Sequence, residues 1–150
     1  MELDAIDRAI LGKLTLDGRI SMRALGDEVG LGASATTERV RRLEDAGAIT
    51  GYRAVLNPEV IGLTVDAVID VQLGPDSSFF ELDEAITEIP QVVDAMHVSG
   101  TFDNQLRVRC RTVADLEKVL FTLKEEMRVS QTNTRIVLHT IAGMPRPPAI

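Results

Sequence analysis

The sequence predicts an α+β fold in two parts, and three observations predict it. Residues 19–52 read as two short amphipathic helices meeting at Gly30-Leu31-Gly32. Residues 64–141 change to a period-2 alternation interrupted by two helical stretches. Asn57-Pro58 and Gly62 break both rhythms in between. Apolar recurrence at three and four residues marks one face of a helix, alternation marks a strand buried on one side, and Pro and Gly punctuate the two.

Taken in order, Leu3, Ile6, Ile10 and Leu14 predict a first helix behind Asp4, a residue type that caps a helix start and is favoured near its positive end. Ser21 caps a second helix that runs to about Val29, with Leu25 and Val29 on one stripe, and Gly30 is free to end it in the left-handed conformation. Leu31 is a buried-type residue inside the turn. Gly32 or Ala33 opens a third helix whose inward face is Val40 and Leu43, and Gly47 closes it. The first helix is the packing partner that this hairpin needs. Residues 50–56 then alternate around Tyr52 and predict a short strand leaving the helical lobe.

In the second part, Val65, Ala67, Ile69, Val71 and Leu73 alternate with Asp66, Val68, Asp70 and Gln72, the pattern of a half-buried strand. Ser78 with Glu81 forms a capping box for a helix carrying Phe79, Leu82, Ile86 and Ile89, which Pro90 ends. Strands at 92–98 and 105–111 follow around the loop 99–104. Thr112 with Asp115 opens a second helix with Leu116, Val119, Leu120 and Leu123 inward, and a last strand is expected at 132–141. Strand, helix, strand, strand, helix, strand is the order of a ferredoxin-like βαββαβ sandwich, one antiparallel sheet with both helices on one face. The expected organisation is a helix-turn-helix (winged-helix-like) DNA-binding domain at 1–50, a strand and hinge linker at 51–63, the sandwich at 64–143 and a flexible Pro-rich tail at 144–150.

A sheet with helices on one side leaves its other face open. With the first and third strands as neighbours, Asp66 and Asp70 would face Arg107, Arg109 and Arg111 there, each pair across strands contributing up to about 1 kcal/mol and less where water screens it. Two readings stay open. The face is a solvated, charge-laced surface, or two protomers cover it against each other and the ladder sets their register.

The helical hairpin carries the functional signal. A glycine-containing three-residue turn between short helices is the supersecondary pattern that places its second helix in the DNA major groove. Ser34, Ala35, Thr36 and Thr37 are small or polar, which suits close approach to base edges and thymine methyls, and Arg41 and Arg42 suit phosphates. The plain alternative is a helical hairpin with solvated arginines. Residues 1–50 hold seven Lys or Arg against nine Asp or Glu, so overall charge does not decide. Placement does: Arg39, Arg41 and Arg42 fall within one turn of one helix. Ser21 and Arg23, opening the preceding helix, complete the DNA-contact candidates.

Other chemistry is thin. The run from Gly30 to Ala35 superficially matches a dinucleotide-binding fingerprint, but it follows a helix and lacks the later acid that a ribose requires. His97 and His139 are far apart, Cys110 falls on the apolar side of its strand, and Asp83, Glu84 and Glu88 lie opposite the apolar stripe of their helix as solvated surface. No metal-ligand cluster and no cofactor are expected. At 150 residues, 45% hydrophobic and 3% aromatic, the chain builds an aliphatic core. One cysteine and no apolar targeting or membrane-length run fit a reducing cytoplasm, with no membrane partner. A net charge of −7 disfavours indiscriminate nucleic-acid binding, so the basic helix must act locally.

A resemblance covers almost the whole chain. Leu3-Asp4-Ala5-Ile6-Asp7-Arg8-Ala9-Ile10-Leu11, Asp17-Gly18-Arg19-Ile20-Ser21, Arg39-Val40-Arg41-Arg42-Leu43-Glu44 with Gly47-Ala48-Ile49, Gly51-Tyr52, and Gly100-Thr101-Phe102-Asp103 together resemble the leucine-responsive regulatory protein and asparagine regulator (Lrp/AsnC, feast/famine) family. The resemblance implies a winged or plain helix-turn-helix, a ferredoxin-like effector domain, assembly as homodimers that often build octamers, and control by a small amino acid. It places the recognition helix at 33–46 on double-stranded DNA and gives Arg39 a structural role. It makes the loop Gly100, Thr101, Phe102 and Asp103 the effector site, with Asp103 receiving an ammonium group and Gln131, Thr132 and Thr134 supplied by a neighbouring subunit. The bare alternative for that loop is a hairpin turn, which needs Gly and Asp anyway.

Two departures are visible: Gly32 stands where the family has a serine cap, and Asn104 where it has an aromatic. Beside the regulator, an enzyme on the same scaffold, resembling the sirohaem decarboxylases, and a stand-alone amino-acid sensor are the alternative functions.

Overall fold

The computed structural model describes residues 2–75 and 77–141, so the tail expected at 144–150 lies outside the described residues. Its elements are α1 (Ala5–Leu16), α2 (Met22–Val29), α3 (Ala33–Asp45), β1 (Val65–Leu73), α4 (Phe79–Thr87), β2 (Val92–His97), β3 (Asn104–Cys110), α5 (Val113–Phe121) continued by a π-helical turn (Thr122–Glu126), and β4 (Val129–Ile136). They form two compact units that meet in sequence between Val55 and Leu56.

The N-terminal unit closes around Ile10, Leu11, Leu14, Leu25, Val40 and Leu43, with Leu3, Ile6, Ile20 and Ile49 against them. Asp4 caps α1 in a full capping box with Asp7, and Ser21 Oγ accepts from the Ala24 N–H at the start of α2. Gly30 ends α2 at φ 75°, as its left-handed role requires. The strand expected at 50–56 does not form. A strand exists only by exchanging hydrogen bonds with a neighbour, and residues 51–57 carry none of that ladder among the described residues. Tyr52 instead turns back on the helices: its ring lies 3.5 Å from the Cβ position of Gly18, and its hydroxyl donates to Glu44 Oε1 at 2.9 Å. Among the described residues no strand adjoins the helix-turn-helix.

The second unit is one antiparallel sheet in the order β2-β3-β1-β4. Ala67, Ile69 and Val71 of β1 and Leu106, Val108 and Cys110 of β3 face Leu82 and Ile86 of α4 and Leu116, Val119 and Leu123 of α5 and its extension. Burial pushes the Cys110 thiol pKa up, with Asp115 adding to it, as for a core cysteine. The π-helical turn ends at Glu126, and two residues on Arg128, at φ 54°, turns the chain so that Val129 pairs with Leu73. The last strand thus begins three residues earlier than its alternation suggested. It stops at Ile136 because β1, its only ladder partner among the described residues, runs out near Asp66.

Further local readings change. Ser78 has the backbone of an N-cap, yet its hydroxyl caps nothing, so no capping box opens α4. The neighbouring Ser77 hydroxyl donates to the Arg128 carbonyl at 2.9 Å. Phe79 lies half exposed at the helix start instead of on the buried stripe. The Thr112 cap on α5 holds, its hydroxyl accepting from Asp115 N–H at 3.1 Å.

Candidate DNA-reading helix and effector loop

α2 and α3 cross closely because Gly26 has no side chain. A Cβ there would stand 2.6 Å from the Leu31 carbonyl oxygen and 2.8 Å from Thr36 Oγ1. Thr36 is the residue on the other side of that crossing: it is fully buried and its hydroxyl donates to the Gly32 carbonyl at 3.0 Å. Its placement among the DNA-facing residues is corrected accordingly. Thr36 shares the inward stripe with Val40 and Leu43, four and seven residues on, and cannot reach a groove.

The other candidates lie outside. Ser34, Ala35, Thr37, Arg41 and Arg42 of α3 and Ser21 and Arg23 at the start of α2 are all exposed or nearly so. The Thr37 hydroxyl donates to Ala33 O at 2.8 Å, and Gly32 gives α3 no side-chain cap, as its sequence departure implied.

The two arginines differ in freedom. Arg41 is 80% exposed and only 3.9 Å from Asp45, an ion pair of marginal strength. Arg42 gives its Nη2 to both oxygens of Asp7, 2.9 Å each, while Arg39 Nη1 reaches Asp7 Oδ1 at 2.8 Å and Asp4 Oδ2 at 2.6 Å. Asp7 is 1% exposed, so α1 holds α3 through one buried carboxylate. The Arg39 hydrogen bond, followed by the Asp7 backbone N–H, holds the Asp4 carboxyl below the usual range; Arg39 is raised by its hydrogen bonds to Asp4 and Asp7. This clamp went unseen in the sequence except for Arg39, whose spacing from the acids gave no distance.

In the second unit, the loop 99–103 joins β2 to β3. Asp103 is fastened to the end of β1: its N–H donates to Val71 O at 2.9 Å, and its Oδ2 accepts the Leu73 N–H at 2.8 Å. One carboxylate oxygen is thereby committed to the fold. Gly100 sits at φ 122° with nothing within 4 Å of its Cβ position, open to close approach. Thr101 is exposed and Phe102 half-buried. Gln131 and Thr132 pair opposite Gln72 and Val71, which brings them to the same end of the sheet as Asp103; Thr134 pairs opposite Ile69, farther along. Asn104, 2% exposed, lies 3.4 Å through Nδ2 from His97 Nδ1, and His97 Nε2 is 3.0 Å from Asp83 Oδ2. Asp83 is thus engaged with β2, and not simply solvated as its helical position suggested.

On the open face the expected ladder is only partly formed. Arg107 grips Asp66 at 3.0 and 2.8 Å and Arg109 reaches it at 3.3 Å. Asp70 instead takes Arg135 of β4 at 2.7 and 2.9 Å, with Gln105 at 2.8 Å and Asn133 at 3.2 Å. Arg111 falls outside, since β3 ends at Cys110. Strand pairing explains the difference, because β4 lies beside β1 and carries Arg135 close to Asp70, an edge whose register could not be read in advance.

Burial acts most strongly on Asp66 and would raise its pKa, but Arg107 and Arg109 together outweigh it and hold the carboxyl below its usual range. A depressed folded-state pKa stabilises above the unfolded-state value, and that stability is lost as pH falls through the folded one. Urea midpoints of wild type and Asp66→Asn should therefore differ most near neutral pH and converge in acid below the ordinary carboxylate range. A difference constant with pH would refute the pairing.

A helix-turn-helix with one exposed, arginine-bearing face, followed by a separate βαββαβ unit, defines a two-part DNA-binding regulator. Two family models match: the AsnC-type helix-turn-helix domain over residues 3–44 and the Lrp/AsnC ligand binding domain over residues 66–147. The leucine-responsive regulatory protein of Haemophilus influenzae is 37% identical over 142 residues, 93% of this chain and 86% of that protein. Its counterpart in Escherichia coli K12 is 36% identical over 143 residues, 93% and 87% of the two chains. Among solved structures, a transcriptional regulator from Neisseria meningitidis in complex with L-methionine superposes with a TM-score of 0.91 at 28% identity, covering 98% of this chain and 97% of that one. A feast or famine regulatory protein from Mycobacterium tuberculosis, complexed with L-methionine, gives 0.91 at 31% identity, covering 97% and 99%. The chain belongs to the Lrp/AsnC family of transcriptional regulators.

Proposed function

We propose that this regulator is a homodimer or larger oligomer, up to an octamer, that presents paired α3 helices to DNA half-sites about one helical turn or a multiple apart. In this reading residues 1–50 read DNA, 51–63 link, and 64–143 bind effector and assemble the oligomer in the cytoplasm. The observation that carries it is the exposed face of α3, where Ser34, Ala35 and Thr37 stand beside the unclamped Arg41. Ser34, Ala35 and Thr37 meet base edges; Arg41, Ser21 and Arg23 meet phosphates, and Arg42, whose Nη2 stays on Asp7, adds to the positive field beside them.

The effector is a small amino acid, in keeping with the L-methionine bound by two relatives of known structure. Its ammonium group takes the second oxygen of Asp103, its carboxylate takes loop N–H groups near Gly100, and Gln131, Thr132 and Thr134 of a neighbouring copy complete the pocket. Effector binding shifts assembly or the spacing of the paired helices. The open sheet face, with Asp66, Asp70, Arg107 and Arg109, packs against a second copy. Because these charges already pair within one chain, they serve the interface by keeping each other neutral more than by bridging copies. Regulation by binding needs no catalytic group, and we assign none.

The test is binding of the full chain to its own upstream DNA over a salt series, with and without a panel of amino acids. Arg41→Ala should weaken binding to all sequences alike and reduce the slope of log affinity against log salt by about 1 for each phosphate that the arginine neutralises. Wild-type binding that scrambled DNA competes away equally well would defeat the sequence-specific reading.

A further inference from the structure

The centre of the exposed face of α3 is held by an acid. Thr36, Val40 and Leu43 are buried, and at 100° per residue the opposite side of the helix carries Ser34, Glu38, Arg41 and Asp45. Glu38, Arg41, Arg42 and Asp45 line one open concavity of about 500 Å³. Glu38 is exposed and is the sixth residue of α3, in the half of a recognition helix that meets base edges.

Its natural helical partners turn elsewhere. Arg42, four residues on, has its Nη2 on Asp7, and Arg41, three residues on, leans to Asp45 at 3.9 Å. Among the described residues no hydrogen bond or ion pair engages the Glu38 carboxylate. Placed against a polyanion, an unpaired carboxylate is repelled by phosphates and has no proton to give them. What it can accept is a base amino group. In the major groove cytosine offers N4–H₂ alone, whereas adenine sets its N6–H₂ beside the N7 acceptor, which opposes a second carboxylate oxygen.

We propose that Glu38 is a specificity-determining residue that accepts a hydrogen bond from cytosine N4 in each half-site; this rests on the DNA-reading function proposed above. Over cytosine the carboxylate is satisfied, and over any other base at that position it is desolvated without a donor of matching pattern. Off the operator it opposes the backbone, which lowers non-specific affinity.

The test is binding-site selection from random duplex DNA with the full-length wild type, Glu38→Ala and Glu38→Gln, followed by dissociation constants for each winning site and its single-base variants. Both substitutions are on an exposed helix position, and thermal melts establish that the fold is retained. Wild type should select a G·C pair at one position per half-site, with discrimination of about 10-fold or more. Glu38→Ala should keep the rest of the motif, lose preference at that position and bind scrambled DNA more tightly. Glu38→Gln should shift the preference toward adenine, which a side-chain amide matches through N6 and N7. An identical motif from Glu38→Ala and wild type would overturn the assignment while leaving DNA reading intact. A wild type that selects no motif would overturn both.

Discussion

Gly26→Ala is expected to cost the N-terminal unit much of its stability and to abolish operator binding at growth temperature. The added methyl would meet the Leu31 carbonyl at 2.6 Å and Thr36 Oγ1 at 2.8 Å. The first is backbone and cannot rotate away, so α2 and α3 must separate. Overpacking of this kind costs about 1–3 kcal/mol, and a unit of this size has only about 3–8 kcal/mol in total at 0.05–0.15 kcal/mol per residue. The same substitution at Gly12 is the control. Its Cβ position has nothing within 4 Å and lies inside α1, where replacing glycine by alanine should stabilise by about 0.5–1 kcal/mol. Helical circular dichroism on heating should therefore move in opposite directions for the two variants. Equal melting of Gly26→Ala and wild type would mean that α2 and α3 cross with more room than these distances leave.

The second large effect concerns Asp103, for which two variants separate structure from ligand binding. Asp103→Ala removes the acceptor of the partly buried Leu73 N–H and should destabilise the sheet unit by about 1–2 kcal/mol, toward the lower end of the cost of an orphaned donor. Asp103→Asn keeps an acceptor for that N–H but removes the charge. It should fold nearly as well as wild type and yet bind the amino acid about 10- to 150-fold more weakly, the worth of a hydrogen bond to a charged group at about 1.5–3 kcal/mol. Calorimetric titration with the amino acid that alters operator binding reads the second effect directly, and urea denaturation the first. Full effector affinity in Asp103→Asn would reduce the residue to a fastener of the β2–β3 turn and move the ligand elsewhere.

Much of this was legible in the residues themselves. The spacing of Ile10, Leu14, Leu25, Val40 and Leu43 placed the N-terminal core, and Ser21, Gly30 and Thr112 placed helix ends, because caps and apolar stripes act within a turn or two of chain. Strand alternation gave the order of the sheet unit and the buried side of Cys110. Apart from the local Ser78 capping box, what failed was whatever depended on a partner elsewhere in the chain. Alternation at 50–56 could not reveal that no strand lies beside it among the described residues, and the rhythm of the last strand could not reveal where β1 would end.

By itself, then, the sequence determined the two-part α+β organisation, the helix-turn-helix, the regulator family and the exposed arginine of the recognition helix. Only the tertiary structure decided which groups on that helix are available: Thr36 turns inward against Gly26, Arg42 is held by Asp7, and Arg41 stays outside. It likewise decided that Asp70 takes Arg135 and that Asp103 is bolted to β1. The reason is one of range. Periodicity and capping are fixed by neighbours a few residues apart, whereas the pairing of a charge or the space for a side chain is set by atoms far along the chain, 35 residues from Asp7 to Arg42 and 30 from Leu73 to Asp103.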